Sequence, residues 1–291
     1  MVARTERRRV LITGARGFIG RHAVKEFERR GFDVVAVARG DSPQLNGIDV
    51  VVHLAGHAHV MRPGPRDILA FRSVNVDWSR ALAADAARLG VDRFVLLSSA
   101  AVVATNEGPK DDDAYARSKR DAERAVREAV AGSRTGVAIV RAPLVYGPRA
   151  PGNFSRLADL VALGLPLPLG GLRNRRSMVS VWNLCDFLVS VSTHPEATGT
   201  AEPWLVSDDH DVSTTELIEH MAAALGQRAR LFAVPARLLR FAGWLTGRSK
   251  EVSRLIGSFT LDIAATRAGL GWRPPLTFAE GIARSLRADC G

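Results

Sequence analysis

Tyr115 and Lys119 are two proton-exchanging residues that stand four positions apart in a segment of helical composition. On a helix, this spacing places both side chains on one face, with about 5–6 Å between their Cβ atoms. A neighbouring ammonium group stabilises phenolate, so it lowers the pKa of a tyrosine from about 10 towards the range in which acid–base catalysts work. The pair is therefore a candidate acid–base catalyst, and an incidental pair on a surface helix is the alternative.

Two hydroxyl groups end the apolar stretch that precedes this pair. The stretch from Phe94 to Leu97 has the pattern of a buried strand, and Ser98 and Ser99 follow it directly. Parallel sheets present their ligand-contacting groups at the carboxyl ends of the strands. A serine-tipped strand ahead of the Tyr115 segment therefore favours a catalytic site over an incidental pair.

A glycine-rich turn near the start of the chain indicates where a cofactor binds. Gly14, Gly17 and Gly20 lie between an apolar run and a helix-like segment over 18–30. Glycines let such a turn approach a pyrophosphate, and the following helix offers unpaired N–H groups and the positive end of its dipole. An ordinary strand-to-helix turn is the alternative, but a second strand over 33–38 completes a βαβ start and favours dinucleotide binding.

Strands and helices alternate through the first 150 residues, which predicts an α/β fold with a doubly wound parallel sheet of the Rossmann type. The strand-like segments are 10–13, 33–38, 49–54, 94–98 and 137–141, and the helix-like segments are 18–30, 67–89 and 114–131. About eleven residues, 38–48, separate the second and third of these strands, whereas a crossover with its own strand and helix needs about thirty. The third-strand region is therefore predicted to be shortened, with the second strand at or near the sheet edge.

The second half of the chain has shorter and more mixed elements. We expect an NAD(P)-binding Rossmann domain over 1–150 and, over 151–291, mainly a small C-terminal substrate lobe with segments that return to the sheet. A capping box at 213–216 predicts the start of a helix. The apolar and basic stretch 236–248 has a composition that suits a membrane surface, but packing of its Leu, Phe and Trp side chains in the core is the favoured interpretation.

The amino-acid composition excludes several classes of protein. The 291 residues are 46% hydrophobic and 24% charged, which is ordinary for a globular protein. No stretch reaches the roughly 18 apolar residues that span a bilayer, and the arginine-rich N-terminus lacks the pattern of a signal peptide. Cys185 and Cys290 make neither a disulfide framework nor a metal site. We therefore expect a cytoplasmic protein without stable membrane insertion.

The net charge of +10 raises the question of nucleic-acid binding. The basic residues are scattered along mixed-charge segments and no zinc, homeodomain or RRM signature is present, so no nucleic-acid partner is expected. Basic charge also suits a substrate that carries a diphosphate. His57 and His59 have no cysteine or acidic partner at metal-ligand spacing, so no metal is expected.

Taken together, the motifs resemble a known family, the extended short-chain dehydrogenase/reductases of the NAD-dependent epimerase/dehydratase type that modify nucleotide sugars. The matching segments, which extend over nearly the whole chain, are TGARGFIG at 13–20, HLAG at 53–56, Asn75, Ser98-Ser99, the segment from Tyr115 to Lys119, RAPLVYGP at 141–148, GNF at 152–154, RRSMVSV at 175–181 and LGWRP at 270–274. The branch resembled is that of bacterial UDP-glucose 4-epimerase-like proteins and UDP-4-keto-hexose reductases.

The resemblance implies a role for each candidate residue. Ser99, rather than Ser98, would hydrogen-bond the reacting sugar oxygen, and Tyr115 would exchange its proton. Lys119 would bind the nicotinamide ribose while tuning Tyr115. The implied cofactor contacts are Gly14, Gly17, Phe18, Ile19, Gly20, Arg39, Leu54, Ala55, Gly56, Tyr115, Lys119 and Pro143. The implied substrate contacts are Ser99, Asn153, Arg176 and Arg254, with Asn153 and Arg176 on the nucleotide diphosphate. Asn75 is either structural or supports the active site.

The residues after the second strand bear on the choice of cofactor. NAD-binding proteins usually place an acid there for the ribose hydroxyls, whereas this chain has Arg39, and an arginine accommodates a 2′-phosphate. Asp41 lies slightly late for the role of that acid. NADP(H) is therefore favoured, and NAD(H) is the alternative. The short 38–48 segment also removes the contact to adenine that a Gly-Asp pair usually makes in this family.

The favoured reaction is the reduction of a 4-keto UDP-sugar in surface-polysaccharide sugar synthesis, so the expected substrate partner is a UDP-sugar. A UDP-sugar 4-epimerase of the UDP-glucose or UDP-GlcNAc type, which uses the same residues with tightly held NAD, is the first alternative. A catalytically silent NADP-binding sensor and a basic RNA-associated relative of the fold are further alternatives. Homodimer formation is left open.

Arg39 gives the first testable prediction. Because a carboxylate at this position would repel a 2′-phosphate and accept the ribose hydroxyls, Arg39→Asp should shift the preference from NADP(H) towards NAD(H). The measurement is a titration of the purified variant and wild type with each cofactor. A wild type that already prefers NAD(H) contradicts the assignment.

Overall fold

The computed structural model describes residues 7–38, 41–58, 64–103, 114–198 and 202–287 of the chain. The α-helices are α1 (Phe18–Arg29), α2 (Pro65–Ala70), α3 (Trp78–Leu89), α4 (Ala114–Val130), α5 (Asn153–Ala162), α6 (Val181–Thr193), α7 (Thr214–Ala224), α8 (Ala236–Leu245), α9 (Ser249–Ile256), α10 (Ala264–Leu270) and α11 (Phe278–Arg287). The strands are β1 (Arg9–Thr13), β2 (Asp33–Val37), β3 (Val50–His53), β4 (Arg93–Ser99), β5 (Gly136–Ala142), β6 (Leu144–Tyr146), β7 (Leu167–Gly170), β8 (Arg176–Ser180), β9 (Trp204–Leu205), β10 (Asp211–Val212) and β11 (Leu231–Ala233). A π-helical segment, Phe71–Asp77, joins α2 to α3.

The chain folds as two compact units, each built from more than one segment. The first unit consists of Met1–Pro143, Leu184–Val206 and Ile263–Arg273, and the second consists of Leu144–Asn183, Ser207–Asp262 and Pro274–Gly291. Two segments from the C-terminal half of the sequence thus belong to the first unit. The division of the chain at residue 150 stays a prediction.

A six-stranded sheet forms the centre of the first unit, in the order β2-β1-β3-β4-β5-β9. Every neighbouring pair is parallel, and all four residues of β3 are buried. Such continuous burial is typical of parallel strands, which are covered on both faces. The predicted Rossmann-type parallel sheet is confirmed. The sixth strand, β9, comes from a part of the sequence that has no predicted strand.

The short connection between β2 and β3 leaves β2 at the edge of the sheet. Residues 41–47, all of them described, form no strand, so the predicted shortening of the third-strand region is confirmed. Leu45 and Ile48 are only 5% and 6% exposed, and they belong to the same core cluster as Leu11 and Val51. Two apolar side chains of the connection therefore cover this part of the core in place of a crossover helix.

The turn between β1 and α1 requires two glycines. Gly14 has a φ of +69°, and a Cβ atom there would lie 2.9 Å from the backbone nitrogen of Ala55. A Cβ atom at Gly20 would lie 2.1 Å from the carbonyl oxygen of Gly14. Because both approaches are shorter than a side chain allows, α1 packs directly against the turn that the sequence singled out.

The second unit contains two small sheets, in the orders β10-β8-β6 and β11-β7. In its core, the hydroxyl of the fully buried Tyr146 donates a hydrogen bond of 2.6 Å to Asp208. The same carboxylate accepts bonds from the backbone nitrogen of Ser180 at 2.9 Å and from the side chain of Asn183 at 2.7 Å. Burial raises the pKa of both Tyr146 and Asp208. These polar groups satisfy one another, as buried polar groups must.

The predicted capping box at the start of α7 is confirmed. The Ser213 hydroxyl accepts a bond of 3.0 Å from the backbone nitrogen of Glu216, whose carboxylate accepts one of 2.7 Å from the backbone nitrogen of Ser213. This reciprocal pairing satisfies two N–H groups that a helix start otherwise leaves without partners.

Most of the apolar side chains of α8 are exposed. The four large ones, with exposed fractions of 53%, 58%, 68% and 71%, are Leu238, Phe241, Trp244 and Leu245. The helix packs against α9 at Gly243, where a Cβ atom would lie 2.8 Å from the side chain of Val252. The prediction that these four side chains serve as core is therefore wrong, because the face around Gly243 is the buried one. Within the described part of the chain, no helix has the length and apolar composition that crossing a bilayer requires.

Candidate active site

Helix α4 carries the candidate acid–base pair. Tyr115 is half-buried, and its ring centroid lies 5.9 Å from that of Phe71. Lys119 is buried one turn further along, and its Nζ donates a hydrogen bond of 2.9 Å to the carbonyl oxygen of Leu97. Because Leu97 belongs to β4, this bond fixes the ammonium group near the carboxyl end of that strand.

Burial changes the acidity of Lys119. Desolvation lowers its pKa to about 8, and the neighbouring Glu123 carboxylate partly opposes that change. Because this pKa is above neutral pH, the group is mostly charged there, and its charge favours the phenolate form of a nearby tyrosine. An ammonium group has three donors, of which the bond to Leu97 uses one.

Ser98 and Ser99, the last two residues of β4, project to opposite faces of the sheet, as successive strand residues do. The buried Ser98 hydroxyl donates a short hydrogen bond to the Glu123 carboxylate. Ser99 is half-buried, and its Oγ accepts a bond of 3.2 Å from the backbone nitrogen of Ala101. Ser98 is therefore hydrogen-bonded within the core. The catalytic role of Ser99 stays a prediction.

Glu123 makes buried contacts next to the candidate acid–base pair that were not predicted from the sequence. Its Oε1 and Oε2 accept bonds of 2.9 and 2.6 Å from the guanidinium of Arg141. Because Ser98 lies on β4 and Arg141 on β5, one carboxylate connects α4 to both strands. The bidentate pair compensates a charge that would otherwise be costly to bury. The available signal was the position of Glu123, four residues after Lys119 on the same helix.

The π-helical segment interrupts the single helix that the sequence predicted over 67–89, and it carries Asn75, which contacts α4. The buried Asn75 accepts a bond of 2.7 Å from the backbone nitrogen of His57 and donates one of 3.0 Å to the Ser118 hydroxyl. Ser118 donates to the carbonyl oxygen of Tyr115 at 2.8 Å. Single π-helical turns occur frequently at functional sites. These contacts connect Asn75 to the helix that carries Tyr115, and its role in the active site stays a prediction.

His53 extends this buried network towards the glycine turn. Its Nδ1 lies 2.7 Å from the Thr13 hydroxyl at the end of β1, and its Nε2 lies 2.9 Å from the Ser79 hydroxyl. Ser79 donates to the carbonyl oxygen of Asn75 at 2.6 Å. Burial, with a smaller effect of the Lys119 charge, lowers the pKa of His53 to about 3. A neutral imidazole therefore links the strand before the glycine turn to the π-helical segment.

The residues at the glycine turn fit a dinucleotide. Gly17, the N-cap of α1, offers no side-chain cap, and the first turn of α1 contains no acidic residue. The N–H groups of that turn are consequently available to a phosphate. At Gly56, a Cβ atom would lie 3.2 Å from the Asn75 side chain and 3.3 Å from Lys119 Nζ. This backbone therefore runs close to the candidate catalytic groups without a side chain between them.

The other described cofactor positions belong to the same unit. Phe18 and Ile19 form the first turn of α1, and both are half-buried. Leu54 and Ala55 follow β3 directly, and Pro143 follows β5, so these three stand at the carboxyl ends of parallel strands. Ligands of open α/β sheets bind at this end of the strands.

The region that bears on NAD or NADP is only partly described. Arg39 lies outside the described residues. Asp41 is described, and its carboxylate accepts a bond of 2.8 Å from the backbone nitrogen of Ala38. An acid thus lies against the end of β2, although the sequence placed it slightly late.

The predicted substrate residues Asn153 and Arg176 belong to the second unit. Asn153 is the first residue of α5, and Arg176 is the first residue of β8, where it pairs with Val212. Both are half-buried. Arg254 lies on α9. In the described residues, no three His, Cys, Asp or Glu side chains cluster as metal ligands do.

A family model described as the NAD dependent epimerase/dehydratase family matches residues 10–207, which include the glycine turn, Tyr115 and Lys119. The chain belongs to this family. It is therefore an enzyme of the NAD-dependent epimerase/dehydratase type, as the motifs indicated.

Two relatives and one solved structure are similar to the chain along most of its length. The chain is 35% identical to a UDP-glucose 4-epimerase of Vibrio cholerae over 96% of this chain and 94% of that one. It is 31% identical to a ceramide reductase of Caulobacter vibrioides over 94% of this chain and 88% of that one. The structure of MoeE5 in complex with UDP-glucose and NAD superposes with a TM-score of 0.75 at 25% identity, covering 97% of this chain and 99% of that one.

The buried imidazole of His53 predicts acid sensitivity. Its pKa is about 3 in the folded protein and about 6.5 when unfolded, so only the unfolded chain binds this proton in between. Stability from His53 is present above pH 6.5 and is lost as the pH falls, by about 2 kcal/mol between pH 7 and pH 5. Urea unfolding at both pH values should show a smaller loss for His53→Asn than for the wild type. The control His194→Asn, at a half-buried histidine, should keep the wild-type loss, and equal losses in all three proteins contradict the assignment.

Proposed function

We propose that the protein is a UDP-hexose 4-epimerase, which oxidises and then re-reduces C4 of its sugar. The observation that carries this proposal is the 35% identity to the Vibrio cholerae UDP-glucose 4-epimerase along nearly the full length of both chains. The 25% identical MoeE5, solved with UDP-glucose and NAD, supports the same class of substrate and cofactor. The arrangement of Tyr115 and Lys119 on α4 supplies the groups that the chemistry needs.

The first unit provides the residues for the chemical step. The glycine turn and the first turn of α1 would hold the pyrophosphate of the dinucleotide. Lys119 would bind the nicotinamide ribose through the donors that Leu97 does not occupy. When bound, the nicotinamide supplies the redox chemistry at C4.

Proton transfer at the C4 oxygen is assigned to Tyr115. As a phenolate, which the charge of Lys119 favours, Tyr115 takes the proton of the C4 hydroxyl and later returns it. Ser99, at the end of β4, donates a hydrogen bond to the same oxygen. The hydrogen bonds of Glu123 and Asn75 would hold the turn of α4 that carries Tyr115 and Lys119 in place before substrate binds.

Substrate recognition is assigned to residues of the second unit. Arg176 suits a diphosphate because a guanidinium offers planar, bidentate hydrogen bonding. Asn153 would add an amide donor, and Arg254 a further contact. The basic charge of the chain favours the approach of such an anionic substrate.

Reduction of a 4-keto UDP-sugar, the reaction that the sequence favoured, is the second candidate. Arg39 favours it, since an arginine after β2 accommodates the 2′-phosphate of NADPH. The shortened segment after β2 also suits a cofactor that exchanges at each turnover. One relative of the chain, at 31% identity, is a ceramide reductase of Caulobacter vibrioides.

A product assay separates the two candidates. An epimerase returns the hydride to the same sugar, so the purified protein with UDP-glucose and NAD should form UDP-galactose without net production of NADH. The products are resolved by anion-exchange chromatography. Absence of interconversion, together with one-for-one consumption of NADPH by a UDP-4-keto-6-deoxyhexose, would instead identify the reductase.

Tyr115 is tested by removing its hydroxyl. Tyr115→Phe should lose at least ~10² in turnover, the range for an acid–base group, and should still bind the cofactor. Arg120→Gln, at an exposed position on the same helix, is the matched control and should keep its turnover. Near-normal turnover of Tyr115→Phe removes this residue from the mechanism.

A further inference from the structure

One face of α8 exposes large apolar side chains together with arginines. Leu238, Phe241 and Leu245 follow the spacing i, i+3, i+7, which places them on one side of a helix. Trp244 lies next to them, with its ring centroid 5.9 Å from that of Phe241. All four are more than half exposed, so the face has no cover from the described residues around it. We refer to these four residues as the α8 face.

Three exposed arginines are close in sequence to the α8 face. Arg237, Arg240 and Arg248 are all exposed, and in the described part of the chain no carboxylate forms an ion pair with any of them. The first turn of α8 contains no acidic residue. Exposed arginines beside exposed Trp, Phe and Leu are the composition of helices that lie in the interface of a membrane.

We propose that the α8 face docks the protein on an anionic membrane surface. The helix would lie in the plane of the interface, with Phe241 and Trp244 among the acyl chains and the arginines at the headgroup phosphates. Tryptophan suits this place because its ring is apolar and its N–H remains near water. Such docking is peripheral and requires no membrane-spanning helix.

Charge favours a membrane over a second copy of the chain. A symmetric dimer through the α8 face would bring the same surface of both copies together, so the arginines of one copy would face a surface of the same positive charge. Anionic lipids, by contrast, attract each arginine near the surface. The net charge of +10 adds attraction of the same sign.

The α8 face does not depend on the reaction that the enzyme catalyses. Its four apolar residues are outside the candidate catalytic set and the candidate substrate set. A vesicle-binding assay therefore tests docking without substrate or turnover, and failure of the proposed epimerase activity would leave its outcome unchanged.

The test is co-sedimentation of the full chain with vesicles of phosphatidylcholine and phosphatidylglycerol at a 3:1 ratio, compared with phosphatidylcholine alone. We expect binding to the anionic vesicles, and at least ~10-fold weaker partition for the double variant Phe241→Ser/Trp244→Ser. The matched control is Leu69→Ser, because Leu69 is as exposed as Trp244, at 68%, but lies on α2. It should bind as the wild type does.

Charge is tested separately. Replacing Arg237 and Arg240 by glutamine should weaken partition by roughly fivefold for each arginine. The control Arg88→Gln/Arg273→Gln removes two exposed arginines elsewhere and should have a smaller effect. Equal losses in both pairs would mean that net charge alone binds the vesicles, which contradicts a docking face.

Tryptophan fluorescence tests directly whether Trp244 enters the membrane interface. The wild type should show a blue shift of its tryptophan emission on adding anionic vesicles, and Trp244→Phe should bind while losing that shift. A shift that persists in Trp244→Phe, or no vesicle binding at all, overturns the proposal.

If Phe241→Ser/Trp244→Ser instead converts a dimer into a monomer in light scattering, a second copy covers the α8 face and the proposal is wrong. Because the substituted side chains are exposed, each variant is expected to remain folded, and thermal unfolding checks this.

Discussion

The hydrogen bonding of the buried Glu123 carboxylate is the interaction on which the placement of the candidate catalytic residues depends. It accepts hydrogen bonds from Ser98 on β4 and from Arg141 on β5, while its own backbone belongs to α4. A charge in the interior is tolerated only when it is paired and fully hydrogen-bonded, so helix and strands must meet in one register. Lys119 lies one turn before Glu123 on the same helix, so the contacts of Glu123 also fix the position of Lys119. The candidate acid–base pair is thus held in place by buried contacts of its own helix.

A second buried network reaches α4 through Ser118. It runs from Thr13 through His53 and Ser79 to Asn75, and from there through Ser118 to the backbone of Tyr115. Each hydroxyl and amide in it has its partner within the protein, which rigidifies such networks. The strand that leads into the glycine turn and the turn that carries the candidate catalyst are therefore parts of one hydrogen-bonded structure.

Much of the first unit could be predicted because its elements carry local signals. The apolar runs predicted β1 to β5, and the glycine spacing predicted the turn into α1, where Gly20 leaves no room for a side chain. Glu123 was missed because its role depends on Ser98 and Arg141, which approach only when the sheet forms. The exposure of the α8 face was missed for a related reason. An apolar helical stripe has the same pattern whether or not another element covers it, and only the packing around Gly243 decides which side is buried.

The short connection after β2 also affects how the sheet assembles. Closing a loop costs more entropy as the loop lengthens, by about 0.6 kcal/mol for each doubling, and contacts between residues close in sequence form faster than distant ones. With only a brief connection to span, β1, β2 and β3 pair within the first 53 residues of the chain. The first three strands can therefore pair early in folding, and β3 then provides the edge against which β4, and after it β5, add to the sheet.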